Sequence, residues 1–311
     1  MKRLTENKII LVRRATRLEE LAVRFNTVGQ AKFYVEHLGA DFSDYETEHD
    51  NYRNALRETQ MQLEVLGRVL VLDRTFLPNF IFGSEDTVVV LGQDGLVANS
   101  LKYLQGQPVI AVNPDPARWD GVLLPFEVKD VSRVVVDVFA GKRTYREITM
   151  ARAELNNGQK LYGVNDLFIG QKSHVSARYQ ISMGTHEEKQ SSSGIIVSTG
   201  LGSTGWLKSV LAGARGIGKA LGKPFESDVP KNFRWESDYL YFTVREPFPS
   251  KSSQAGLIFG TITDKVPLRL MSQMPENGVI FSDGIEADYL EFNSGTQALI
   301  APADKKGYLV V

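Results

Sequence analysis

The 311-residue sequence predicts an α/β amino-terminal domain with an open, mostly parallel sheet, followed by an all-β, sandwich-like carboxy-terminal domain. Three observations predict it. Up to about residue 127, apolar runs of strand length alternate with segments of helical periodicity. From about residue 131, short strand-like runs crowd together with turns between them. The length suits one large domain or two ordinary ones, and the change of texture favours two. The expected division is 1–127 for the α/β domain and 128–311 for the β-rich domain, with the extreme C-terminus returning to the first.

Lys8–Arg13 reads as the first strand, through the apolar run Ile9, Ile10, Leu11, Val12. Arg17–Leu38 reads as one helix, with Leu18, Leu21, Ala22, Phe25, Val35 and Leu38 near helical spacing. Ser43–Leu66 reads as a second, more polar helix. Val69–Leu72, Thr87–Leu91 and Pro108–Val112 read as strands, with a helix over 96–104 between the last two. That order makes a Rossmann-like sheet, whose ligands bind beyond the carboxyl ends of the strands.

In the second half the strand-like runs are Val134–Phe139, Tyr145–Leu155, Val164–Ile169, Ser176–Met183, Gly194–Ser198, Tyr239–Val244, Leu257–Thr261, Leu268–Ser272, Val279–Phe281 and Leu299–Ala301. One helix, Ser203–Leu211, interrupts them. Residues 213–232, rich in Gly, Lys and Pro, read as an exposed loop.

Composition narrows the function classes. Hydrophobic content of 42% and charged content of 23% are those of a soluble globular protein. A net charge of -1 argues against nucleic acid or an anionic membrane as the main partner. The absence of cysteine excludes disulfides, thiolate zinc sites and cysteine nucleophiles. Four scattered histidines (His37, His49, His174, His186) offer no pair at metal-ligand spacing, so no protein-bound metal is expected. No apolar run reaches the length of a membrane span. The start, Met1-Lys2-Arg3, passes almost directly into the first strand and leaves no room for a signal peptide; the expected location is cytoplasmic.

The most informative stretch is Leu91-Gly92-Gln93-Asp94-Gly95-Leu96. It follows the apolar strand Thr87–Leu91 and opens a helical pattern, Leu96, Val97, Leu101, Leu104. A carboxylate thus falls between two glycines where a strand turns into a helix. Backbone N–H groups and the positive dipole end of a helix suit a phosphate there. Asp94 beside that phosphate is placed to take a proton from an attacking hydroxyl. The plainer alternative is a helix cap with two turn glycines.

Two motifs imitate known nucleotide sites. Gly200-Leu201-Gly202-Ser203-Thr204-Gly205 has the spacing of a dinucleotide fingerprint. It lies in the antiparallel half, and the ribose-binding acid about 20 residues on is missing, since Asp228 comes too late. Its hydroxyls and free N–H groups still suit a ribose or a phosphate. Gly213–Ala220 has the spacing of a phosphate-binding loop but ends in Ala220, where a magnesium-binding hydroxyl belongs.

The ordered set of motifs resembles the NAD kinase family, within the superfamily that includes diacylglycerol and sphingosine kinases. Gly92-Gln93-Asp94-Gly95 resembles the family's G-G-D-G turn. Asn165-Asp166 resembles its Asn-Glu pair, and Thr199–Trp206 its T-P-T-G-S-T-A-Y segment. The resemblance is greatest to the branch of animal mitochondrial NAD kinase, through Arg14–Glu19, Asn113–Arg118 and Glu188–Gly194. Arg245-Glu246-Pro247 and Asp283-Gly284 also fall where the family has such residues, and the resemblance runs from about residue 8 to the C-terminus.

The resemblance implies transfer of the γ-phosphate of ATP to the adenosine ribose 2′-hydroxyl of NAD, giving NADP. It makes Asp94 the base on that hydroxyl. It places ATP phosphate at Gly92, Gln93 and Gly95, with Thr16 and Arg17 in the first strand–helix loop also meeting phosphates. It places NAD at Asn165, Asp166, Ser193, Thr204, Gly205, Trp206 and Ser209. Magnesium arrives on the nucleotide, without an all-protein cage. A homodimer is implied; the expected absence of a nucleic-acid or membrane partner rests on the composition above.

Two departures bear on ATP. Gln93 replaces the second glycine of the turn, and Leu96 replaces a threonine. A positive φ at Gln93 would cost about 1 kcal/mol. The alternatives are a kinase of the same fold for a sugar or lipid hydroxyl, and a non-catalytic NAD(P)-binding regulator.

Overall fold

The computed structural model describes residues 3–224 and 233–311. Asp228, and the expected loop from residue 225 on, lie outside the described residues. The chain divides into two units, Met1–Arg146 with Tyr308–Val311, and Glu147–Gly307.

The first unit holds β1 (Lys8–Arg13), α1 (Arg17–Phe25), α2 (Val28–His37), α3 (Ser43–Leu66), β2 (Arg68–Asp73), β3 (Thr87–Leu91), α4 (Asp94–Leu101), β4 (Pro108–Asn113), β5 (Phe126–Glu127) and α5 (Val131–Phe139). Its sheet runs β2-β1-β3-β4 with parallel pairing throughout; Leu11 lies opposite Val71 on one side and Val89 on the other. Ile9, Leu11, Val89, Leu91, Ile110 and Val112 form one core with α3 and α5. Ile10, Val12, Val88 and Val90, which alternate with them, are fully buried too. Burial of both faces is what a parallel sheet clothed by helices requires. After β2 the chain crosses β1 to reach β3, so the strand order reverses between β1 and β3.

The second unit holds β6 (Tyr145–Leu155), β7 (Lys160–Gly163), β8 (Asp166–Gln171), β9 (Ala177–Met183), β10 (His186–Ser192), β11 (Ile195–Ser198), α6 (Trp206–Ala220), β12 (Leu240–Val244), β13 (Phe259–Ile262), β14 (Leu268–Ser272), β15 (Gly278–Ser282), β16 (Ile285–Glu291) and β17 (Gln297–Val310). The ends of β6 and β17 belong to the first unit. One layer pairs β10-β9-β14-β17, with β6 on β17 and β7 on β6; the other is β13-β12-β11-β8-β15-β16. Pairing is antiparallel along β10-β9-β14-β17, between β6 and β7, and throughout the second layer. The core draws Ile181, Leu270 and Ile300 from one layer and Ile169, Phe242 and Ile280 from the other. This is a sandwich carrying one helix.

Three helical segments differ from the sequence expectation. The helix expected over Arg17–Leu38 breaks at Asn26, whose φ of 65° ends α1, and Thr27 then caps α2. Asparagine tolerates that left-handed conformation better than most residues. Val134–Phe139, expected as a strand, lies in α5. Its β-branched residues recur at 131, 134, 135 and 138, and that helical face packs on the sheet. The helix expected over Ser203–Leu211 runs instead as α6 to Ala220, through the first part of the expected loop.

Candidate functional site

The site residues expected from the sequence fall into two groups, one in each unit. In the first unit, Asp94 is the first residue of α4, at the carboxyl end of β3. It is not the cap: Gln93 holds that position, with φ -111°, ψ 166° and no side-chain cap bond. The backbone at Gln93 is therefore extended and unstrained, and the strain considered for a positive φ does not arise. The Asp94 Oδ1 atom accepts the N–H of Leu123 at 2.7 Å, which orients the carboxylate.

Gly92 has a packing reason. A Cβ there would come within 2.7 Å of Leu96 Cδ2, so the buried Leu96 side chain packs directly over the glycine and would have to shift for a larger residue. Gly95 has open space around it and is exposed. The segment therefore presents a half-exposed carboxylate and an exposed glycine at a helix start.

Thr16 and Arg17 are employed otherwise. Thr16 is fully buried, caps α1 through a capping box with Glu19, and bonds His49 Nδ1 at 2.8 Å. Arg17 pairs with Asp44 at 2.7 Å and lies over the Tyr45 ring. Both side chains tie the β1–α1 loop to α3. The Thr16 hydroxyl is thereby occupied, while the Arg17 side chain stays 40% exposed.

In the second unit, Asn165 and Asp166 are presented by a backbone cradle. The Asp283 carboxylate accepts the N–H of Val164 at 3.0 Å, Asn165 at 2.6 Å and Asp166 at 3.3 Å. Asp283 and Gly284 form the two-residue turn between β15 and β16, with φ 55° and 71°. That is a hairpin turn needing φ above zero twice, which Asp-Gly supplies at low cost.

The Asn165 carbonyl accepts from both N–H and Oγ1 of Thr199, whose hydroxyl also bonds the Val164 carbonyl at 2.6 Å. With its backbone held on both sides, Asn165 makes no side-chain hydrogen bond among the described residues. Its amide is left to an incoming partner. Asp166 is nearly buried, and burial, reinforced by the Asp283 charge, pushes its carboxyl up to about 7.

The glycines of the dinucleotide-like segment serve the same cradle. A Cβ on Gly202 would stand 2.0 Å from the Asn165 carbonyl oxygen, and one on Gly200 1.7 Å from that of Arg234. Ser203 turns its hydroxyl back onto the Gly200 carbonyl at 2.7 Å. These residues pack a tight turn, and no βαβ unit surrounds them.

Beyond the turn, Trp206 stacks on Phe168 with centroids 5.8 Å apart and planes 7° apart, and Phe281 stacks on the same Phe168 at 4.8 Å. The three rings, Ser193 and Arg245 line a cavity of about 320 Å³. The Arg245 guanidinium lies 5.5 Å from the Trp206 ring centre. Such a lining can pack a flat ring against its aromatic faces and bond a polar edge at Arg245 or Ser193. Ser193 and Trp206 thus share this cavity, while Thr204, Gly205 and Ser209 lie exposed along the same turn and helix.

Asp283, Phe168, Phe281 and Arg245 were not singled out from the sequence as site residues. The Asp-Gly pair after the apolar run Val279–Phe281 was a hairpin signal. Its second strand, Ile285–Glu291, is too polar to read as one.

No protein-family profile matches the chain, and no curated protein matches it in sequence. Solved structures are similar to it. A crystal structure of an NAD kinase from Archaeoglobus fulgidus in complex with ATP covers 97% of this chain and 92% of its own, with TM-score 0.56 and 14% identity. A crystal structure of yeast NADH kinase complexed with NADH covers 99% of this chain and 84% of its own, with TM-score 0.56 and 15% identity. At that identity the likeness is one of fold.

Proposed function

We propose that this chain is a kinase of NAD or NADH. It transfers the γ-phosphoryl group of ATP to the 2′-hydroxyl of the adenosine ribose, giving NADP or NADPH and ADP. The observation that carries the reading is the placement of Asp94. A carboxylate oriented by the Leu123 N–H opens a helix at the carboxyl end of β3, beside the reversal of strand order where open α/β sheets bind ligands.

In this reading the Asp94 carboxylate accepts the proton of the 2′-hydroxyl as its oxygen attacks the γ-phosphorus and ADP leaves. Phosphoryl transfer demands positioning and charge neutralisation above all. Gln93 and Gly95 bring main-chain amides to the phosphates, and Gly92, whose own N–H is bonded to the Val112 carbonyl, shapes the turn that presents them. Asn165 and Asp166 hold the dinucleotide, and the Phe168–Trp206–Phe281 cavity takes one of its rings. Ser193, Thr204, Gly205 and Ser209 flank it. Magnesium carried by ATP would neutralise phosphate charge there. A homodimer belongs to this reading through the family resemblance.

The strain argument for a non-catalytic regulator loses its ground, because Gln93 adopts its backbone conformation freely. The test is to incubate the full chain with ATP, magnesium and either NAD or NADH, and measure NADP and NADPH. Formation of either product supports the reading. Dinucleotide binding without product points to a regulator. Neither binding nor product overturns the reading and directs the search to sugar or lipid hydroxyls.

A further inference from the structure

One side chain occupies the gap where β1 and β3 part. Tyr52, on α3, is 2% exposed. Its hydroxyl accepts the N–H of Arg14, the first residue beyond β1, at 3.0 Å. It donates to the carbonyl of Leu91, the last residue of β3, at 2.9 Å. Val12 and Val90, just before these exits, are direct partners in the parallel ladder. The hydroxyl thus stands where the main-chain ladder ends, and satisfies one group from each departing strand.

The tyrosine is itself braced. The Arg14 guanidinium lies 4.9 Å from its ring centre and bonds Glu48, one turn earlier on α3, at 2.6 Å. Glu48 is 3% exposed, so this ion pair is enclosed and α3 is fastened to the β1 exit. Burial pushes the Tyr52 hydroxyl up to about 12, so it keeps the proton it donates.

The Gly92–Gly95 turn follows Leu91 directly. On the β4 side it is held by main chain: Gly92 N–H to the Val112 carbonyl at 3.3 Å, and Leu123 N–H to Asp94 at 2.7 Å. On the β1 side the hold is the Tyr52 hydroxyl.

We propose that Tyr52 is a positioning residue for Asp94: its hydroxyl fixes the spacing of the β1 and β3 exits, and so the aim of the turn that carries the carboxylate. The proposal rests on the reading of Asp94 given above. Tyr52 touches neither substrate nor phosphate in it. The hydroxyl acts through Leu91 and Gly92.

The test compares Tyr52→Phe with Leu63→Val, a change at a fully buried position of the same helix that faces the core only. Tyr52→Phe lowers kcat by about tenfold or more while KM for NAD stays within about twofold; Leu63→Val lowers Tm but leaves kcat within about twofold. Hydrogen exchange of the peptide Leu91–Val97 supplies a readout independent of turnover. It quickens in Tyr52→Phe and not in Leu63→Val.

Wild-type kcat in Tyr52→Phe, or an equal kcat loss in Leu63→Val, overturns the proposal. So does unchanged exchange in Tyr52→Phe. If the wild-type chain makes no NADP, quickened exchange upholds Tyr52 as the brace of the turn. In that case the kinase reading alone fails.

Discussion

The Asp283 carboxylate receives the Asn165 N–H at 2.6 Å across a gap of more than a hundred residues in sequence. A hairpin turn thus holds the backbone of the residue whose side chain is proposed to meet the dinucleotide. Asp283→Ala leaves the N–H groups of Val164, Asn165 and Asp166 without this acceptor. The expected cost is about 2–4 kcal/mol of stability and a tenfold or larger loss in NAD affinity. Urea denaturation and calorimetry check the two effects. A variant matching the wild type in both removes Asp283 from the account.

Asp166 gives the second unit a pH dependence. Its carboxyl is raised to about 7 by burial and then by the Asp283 charge. A raised carboxyl favours the protonated folded form. Its contribution is fully present below the unfolded value, roughly pH 4, and is lost as pH rises through about 7. The wild-type urea midpoint, taken relative to that of Asp166→Asn, should fall between pH 5 and pH 8. A constant difference across that range contradicts the assignment.

Four glycines between residues 200 and 216 fall into two kinds. Gly200 and Gly202 lie against main-chain carbonyls, at 1.7 Å and 2.0 Å from an added Cβ. Neither carbonyl can yield as a flexible side chain would. Alanine at either position should destabilise by about 1–3 kcal/mol and disturb the Asn165 cradle. Gly213 and Gly216 lie within α6 with open space around them. Alanine there should stabilise by about 0.5–1 kcal/mol each. Chemical denaturation of the four single variants decides, and equal effects across them would refute the distinction.

Gln93 should tolerate glycine without benefit. Its φ of -111° lies in ordinary extended space. Restoring the family's glycine relieves no strain, and turnover should stay within about threefold of wild type. A tenfold gain would show instead that the glutamine side chain obstructs the phosphate.

Much of the first unit was legible because its signals are local. The apolar run Thr87–Leu91 and the glycines around Asp94 mark a strand end and a helix start within nine residues. The break at Asn26 rests on one left-handed residue inside a continuous helical pattern, so periodicity alone ran through it. The valines of α5 carry strand propensity, and only their spacing betrays the helix.

The remainder of the site depends on distant partners. Tyr52 reads as one more residue on the apolar face of a polar helix, and its hydroxyl acquires meaning only beside Arg14 and Leu91. Thr16 and Arg17 stand in a loop suited to phosphate, yet their side chains are taken by His49, Asp44 and Tyr45 from α3. The Gly200–Gly205 spacing is shared by phosphate loops and by tight packing turns. The carbonyls of Asn165 and Arg234 show that Gly200 and Gly202 are needed for packing here.

The most direct measurement is a single-turnover assay of Asp94→Asn against wild type, with ATP, magnesium and saturating dinucleotide, alongside calorimetric binding of that dinucleotide. The account predicts NADP formation lowered by about a thousandfold or more, with affinity within about tenfold of wild type. Turnover unchanged in Asp94→Asn would contradict the role given to this carboxylate, and with it the proposed chemistry of the site.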